Sequence, residues 1–471
     1  MEALDIFFQK WYNRKKQKKE EKTMALSEER RRARRKKQRR QAMIILTALA
    51  LIAALLITGL FFGIRGLVRL FTGKKGGEAA PTAVTETVNT ADGILQEAER
   101  LAAGYDYDGA IRLIQGFDGY TSEAMLTDAV ARFEATKTTL SAANLNEVTH
   151  VFFHTLIKDN AKAFDGEYTE DGYNQYMTTI SEFEAMLRIM HERGYVLVNL
   201  DDMAKVVTDE NGNTHMEACE ILLPPGKKPV VMSQDDVSYY QYMIGDGFAS
   251  RIVIGEDGYP TCEYEEDDGT VVRGDFDLVP ILEKFIQAHP DFSYQGARAT
   301  LAITGYDGVL GYRTCPSGEG YHESEIEKAR AVADRMRELG WVFASHSWGH
   351  QLYGSISVEK LREDSTKWEN EVQPILGETD IIIYAHGEDI AGIENYTSEN
   401  EKYNILRQCG FRYFCNVDAH TYWVQLTDEY LRQGRRNLDG YRMYYNPEML
   451  EDLFPVSEVW DNGRPTPVPA I

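Results

Sequence analysis

The chain has 471 residues, 43% of them hydrophobic, which suits two or three domains with a real core. Its net charge of -23 is unevenly placed: residues 1–75 hold 20 Lys and Arg against 6 Asp and Glu, a balance of +14 that leaves −37 for residues 76–471. So acidic a body argues against nucleic acid as a partner, because phosphates are bound by Lys and Arg, and five cysteines with no CxxC pair argue against a zinc ribbon or a disulfide scaffold.

From the N-terminus, residues 1–40 end in the run RRRARRKKQRR. Residues 41–64 follow without one charged side chain, long enough to span a bilayer as a helix. The basic run predicts a cytoplasmic tail, and so an anchor with the rest of the chain outside, at the plasma membrane. A cleaved leader fits less well, since both the charged lead and the apolar run exceed the usual lengths. Residues 65–90 are small and polar, as in a linker. Residues 91–145 repeat apolar positions every three to four residues, broken near Gly104, and resemble one tetratricopeptide-like helical hairpin. One such unit makes no solenoid, so it reads as a spacer.

Beyond 146 the pattern alternates. Strands are expected at 150–156, 195–199, 229–233, 299–304, 341–345, 380–384 and 412–416, with a short one at 441–445. Amphipathic helices are expected at 176–193, 278–289, 323–339, 358–376 and 400–409. Alternation of this kind predicts an α/β fold with a parallel sheet, closed as a barrel of (β/α) units, over residues 146–471. Residues 248–276 break the rhythm with Glu-Asp-Gly and Asp-Asp-Gly turns and predict an antiparallel insertion.

Three polar clusters fall where strands end: Asp235-Asp236, His346 with His350, and His386 to Asp389. In a parallel barrel those ends share one rim. Each short motif alone is weak; their common position is the argument. Histidines four apart can bind one metal, and Asp236 can add the carboxylate that imidazole sites favour. Asp235 points elsewhere than its neighbour and is free to act as a base. His154, inside a strand pattern, reads as a core residue.

These motifs resemble the polysaccharide deacetylase family of metal-dependent carbohydrate esterases, the NodB-homology domain, over residues 148–443. The family's Thr-Phe-Asp-Asp-Gly stands here as Ser233-Gln234-Asp235-Asp236-Val237, and its His-Ser/Thr-x-x-His as His346-Ser347-Trp348-Gly349-His350. The stretches HVFFHTLI and GWVFASHSWGH are also similar to its secreted branch. The resemblance implies a distorted (β/α)7-type barrel that removes N-acetyl or O-acetyl groups from an extracellular or cell-wall polysaccharide. It implies a divalent ion, zinc or else cobalt, nickel or manganese, on Asp236, His346 and His350. A water on that ion would attack the carbonyl, with Asp235 as base and His386 in the place of the backbone donor to the oxyanion. The third motif lacks its Arg and Pro, and Arg313 is the candidate to hold Asp235 instead. No His follows His420, so His386 or His420 takes the general-acid role. A barrel that binds glycan or a partner without turnover is the alternative.

Overall fold

Short runs rich in Val, Ile, Phe and Ala suit strands covered on both faces, since β-branched and aromatic side chains pack well on a pleated surface. The computed structural model describes residues 90–418 and 420–470, all within one unit, Val84–Ile471. Eight of its strands are β1 Thr149–Phe153, β2 Tyr195–Leu197, β3 Lys228–Gln234, β4 Thr300–Ile303, β5 Val342–Ser345, β6 Ile381–Ile383, β7 Tyr413–Val417 and β8 Leu431–Asn437. Seven of them close a parallel ring in the order β4-β5-β6-β7-β8-β1-β3, with β3 returning to β4. The short β2 pairs with the first residues of β3, Tyr195 opposite Lys228, while β4 takes its last, Leu301 opposite Gln234. This shared edge is where the ring departs from an eight-stranded barrel.

Side chains alternate between two faces of each strand, and the apolar clusters divide the same way. Val151, Met232, Leu301, Ile303 and Phe343 point outward into a core shared with the helices. Val231, Ala302, Ala344, Ile381, Ile383, Cys415 and Leu431 form a separate cluster, the barrel interior. The principal covering helices are α4 Ile180–Glu192, α5 Leu278–Ala288, α6 Glu323–Glu338, α7 Val358–Glu371 and α8 Glu401–Gln408. Their starts follow capping chemistry: Thr179 and Glu182 form a reciprocal capping box on α4, and the Ser357 hydroxyl accepts from Lys360 N on α7.

Residues 91–137 form three helices, α1 Ala91–Ala103, α2 Tyr107–Gln115 and α3 Ala124–Lys137. They share their own core around Ala98, Ile114 and Phe133. This layer meets the barrel through Tyr105, whose ring stacks on Tyr294 and whose hydroxyl donates to the Asp291 carbonyl at 2.8 Å. The interruption in the barrel pattern is a three-stranded antiparallel sheet, Arg251–Ile254, Pro260–Glu265 and Val271–Gly274.

One expected strand is wrong. Residues 441–445 belong to a helix, Gly440–Tyr445, capped by the Asp439 carboxylate. The last barrel strand is instead β8, whose sequence LRQGRRN reads as polar because its inward positions hold Gln433 and Arg435. All five cysteines are free thiols. Among the described residues no helix is long and apolar enough to cross a membrane. The basic tail 1–40, the expected span 41–64 and nearly all of the linker lie outside the described residues.

Candidate active site

Parallel strands deliver their C-terminal ends to one mouth. Asp235 follows β3 there, and its carboxylate is gripped by a guanidinium from β8: Arg435 donates to Oδ1 at 2.7 Å and to Oδ2 at 3.0 Å. Both groups are buried. Burial pushes the Asp235 carboxyl up, but the charges of Arg435 and then His346, with the Arg435 hydrogen bonds, outweigh it and hold the group at about 2. Below this pair, His150 bridges Ser233 Oγ at 2.9 Å and Gln433 Oε1 at 3.1 Å. Burial first, then the Arg435 charge, keeps that imidazole well below its ordinary range, so it is neutral. The wall β8–β1–β3 is thus one hydrogen-bonded network.

Arg435 therefore fills the place proposed for Arg313. Arg313 donates instead to the carbonyls of Asp307 and Tyr239, both at 2.7 Å. The altered first motif is also accounted for. Gln234 is on the outward face of β3, where its amide donates to Asp277 Oδ1 at 2.9 Å. Val237 is fully buried in the outer core and is not among the residues with positive φ. Gln234 reaches the mouth only through the backbone, its amide also donating to the His154 carbonyl at 3.3 Å.

His346 and His350 come from the loop after β5. The Asp364 carboxylate pins that loop by accepting from Trp348 N, Gly349 N and the Tyr353 hydroxyl, each at 2.8 Å. Gly305 lets it sit close, since a Cβ there would meet the Trp348 ring at 2.3 Å. His346 is 1% exposed and donates from Nδ1 to the Ile383 carbonyl at 2.8 Å, which turns Nε2 toward the mouth. Asp236 adopts a left-handed φ of 61° and presents Oδ1 3.9 Å from His346 Nε2 and 3.6 Å from His350 Nε2. The Tyr240 hydroxyl donates to that same oxygen. Burial first, then the Asp236 charge, drives the Tyr240 phenol well up, so it remains a donor.

One donor atom each from Asp236, His346 and His350 lie within 4.8 Å of one another. Bonds of about 2.0–2.1 Å in a tetrahedral site separate its donors by roughly 3.3 Å. The two Asp236–histidine spacings need to close by about 0.3 and 0.6 Å to reach that value, and two imidazoles with one carboxylate suit a divalent transition metal. The residues present therefore fit such an ion.

The other expected site residues scatter. The His386 ring lies 4.2 Å from that of His350, on a backbone with φ of 57°. Burial and the neighbouring His350 lower its pKa. His420 is not gathered in: its side chain is 75% exposed and paired through Nδ1 with Asp418 at 2.5 Å. Asp389 is taken up by Arg432 at 3.0 Å and by the Tyr396 hydroxyl at 2.6 Å. His154, read from sequence as core, stands at the mouth. It continues the inward column of β1 after His150 and Phe152, and the register that sets Phe153 opposite Gln234 brings it level with Asp235. Its Nδ1 is bonded to the Tyr176 carbonyl at 3.0 Å.

No family model and no curated protein matches this chain. A solved structure with some similarity is Streptococcus pyogenes deacetylase PplD in complex with acetate, 12% identical, with a TM-score of 0.34 over 64% of this chain and 97% of that one.

Proposed function

We propose that this chain is a metal-dependent hydrolase that removes N-acetyl or O-acetyl groups from a cell-wall or other extracellular polysaccharide. One observation carries the reading: a His-His-Asp donor set opens at the barrel mouth beside a second carboxylate, Asp235, held bidentate by Arg435. The His346–His350 and Asp235-Asp236 motifs supply the acyl chemistry by resemblance.

Asp236, His346 and His350 would hold the ion, whose bound form supplies Lewis acidity toward water and an acyl oxygen. Asp235 stays ionised at all physiological pH values and accepts a proton at Oδ2, the oxygen 4.0 Å from His346 Nε2. Arg435 fixes the carboxylate plane, so the base needs no reorganisation. His154, with Nδ1 committed to Tyr176, presents Nε2 and delivers the proton that the departing amine or alcohol requires. His386 stands against the His350 ring. Zinc is the proposed ion. The sequence pattern of 1–64 further supports a cell-surface enzyme, anchored in the plasma membrane by 41–64 with its basic tail in the cytoplasm.

The test is acetate release from acetylated chito-oligosaccharides and peptidoglycan, with metal content measured on the same samples. The expected result is activity in the wild type that vanishes in Asp235→Asn with metal retained, and in His346→Ala with metal lost. Retained metal with no acetate release from any glycan would turn the reading toward a binding barrel.

A further inference from the structure

A second convergence of ligand-type side chains lies at the other end of the barrel, and we propose that it is a structural site for one imidazole-seeking divalent ion, in the first instance zinc. His191 is in the last turn of α4, His289 caps α5, and Asp291 follows in the short turn Pro290–Phe292. Both helices end there just ahead of β2 and β4, so the cluster is on the floor, away from the mouth.

A ring nitrogen of each histidine and an oxygen of Asp291 lie within 4.8 Å of one another. His191 Nε2 is 3.0 Å from both Asp291 oxygens, close to the roughly 3.3 Å that separates donors around tetrahedral zinc. The two imidazole rings are 4.7 Å apart. Phe285 and Phe292 meet His191 edge-on, and Phe285 also packs on His289, so both rings are oriented by packing. Among the described residues the His289 imidazole has ring neighbours but no hydrogen-bond partner. It is a donor beside a carboxylate and a second imidazole that no hydrogen bond of the described fold engages. Two imidazoles and a carboxylate, part-exposed, leave a position for water and select zinc, cobalt, nickel or copper over magnesium and calcium.

The same turn anchors the helical layer. The Asp291 carbonyl accepts from Tyr105, and Gln295 N donates to the Gly104 carbonyl at 2.7 Å. An ion bound to Asp291 therefore braces α1–α3 against the barrel floor. Lys227 is its competitor, with Nζ 3.1 Å from Asp291 Oδ2, leaving Oδ1 to the ion.

The experiment titrates the full chain, stripped of metal, with zinc alone against a chromophoric chelator. Two equivalents are expected in the wild type, one in His289→Gln, a different one in His346→Ala and none in the double variant. His289→Gln breaks no hydrogen bond, so the fold survives it. Lys227→Met removes the competing charge and tightens the floor site by roughly tenfold. Two equivalents that His289→Gln leaves intact overturn the proposal, as does a single equivalent abolished by His346→Ala, or no zinc binding at all. A single equivalent lost in His289→Gln and kept in His346→Ala retains this site and discards the one at the mouth.

Discussion

Each end of the barrel gathers two histidines and an aspartate, and their surroundings set them apart. At the mouth two of the three donors are oriented by partners outside the set: His346 by the Ile383 carbonyl, Asp236 by the Tyr240 hydroxyl. At the floor His191 and Asp291 bond each other directly, and Lys227 shares the carboxylate. The mouth also has what the floor lacks, an ionised Asp235 with a guanidinium of its own and a histidine level with it. On the proposed function, what would make a reaction centre of one of two like clusters is the independently held Asp235 and His154 beside it.

Four changes bear on that contrast. The largest effect is expected from Asp235→Asn, which should lower kcat/KM on the order of 10³-fold with metal content unchanged, because it removes the base and spares the donors; a loss below tenfold would erase the distinction between the two ends. Next is His154→Gln, for which kcat should fall about 10²-fold with KM nearly constant, as for a group that acts on the leaving atom. An unchanged pH–rate profile in that variant would return His154 to a packing role.

Arg435→Met leaves a buried carboxylate unpaired and should cost about 3–5 kcal/mol of stability in urea melts. The sign of the pH dependence follows from the same pair. In the metal-free protein the Asp235 carboxyl sits at about 2 in the fold against about 3.9 when unfolded. Its contribution is complete above the unfolded value and is lost as pH falls toward 2. The stability gap between wild type and Asp235→Asn should therefore be open at pH 7 and shrink below pH 4. The smallest change is Tyr240→Phe, which frees Asp236 Oδ1 and should weaken zinc at the mouth by about tenfold with no effect at the floor.

Much of the mouth was legible in the sequence because polar residues stood where strands end. Asp235, Asp236, His346 and His350 all interrupt apolar runs, and the barrel follows from the alternation of those runs with helices. Arg435 was hidden for a physical reason. A strand facing a polar interior carries Gln433 and Arg435 inward, and LRQGRRN then looks like a solvated segment, while the aromatic alternation of YRMYY mimics a strand and is a helix. Arg313 was the candidate because it stands in the segment after the 299–304 strand, but its guanidinium is spent on two backbone carbonyls. His154 did leave a signal. His150, Phe152 and His154 alternate along β1, and once His150 is seen to face Ser233 inside the barrel, the third member must face the same way.

The pairing of Asp235 with Arg435 also bears on how the protein is made. Base and guanidinium lie 200 residues apart along the chain, and the second comes from the last strand to enter the ring. While the chain is still emerging, the β3 carboxylate has no cation to meet and the ring cannot close. A molecule cut short before β8 would still hold Asp236, His346 and His350, but with Asp235 unsupported. On the proposed function, hydrolytic competence would arrive late in synthesis, with the strand that shuts the barrel.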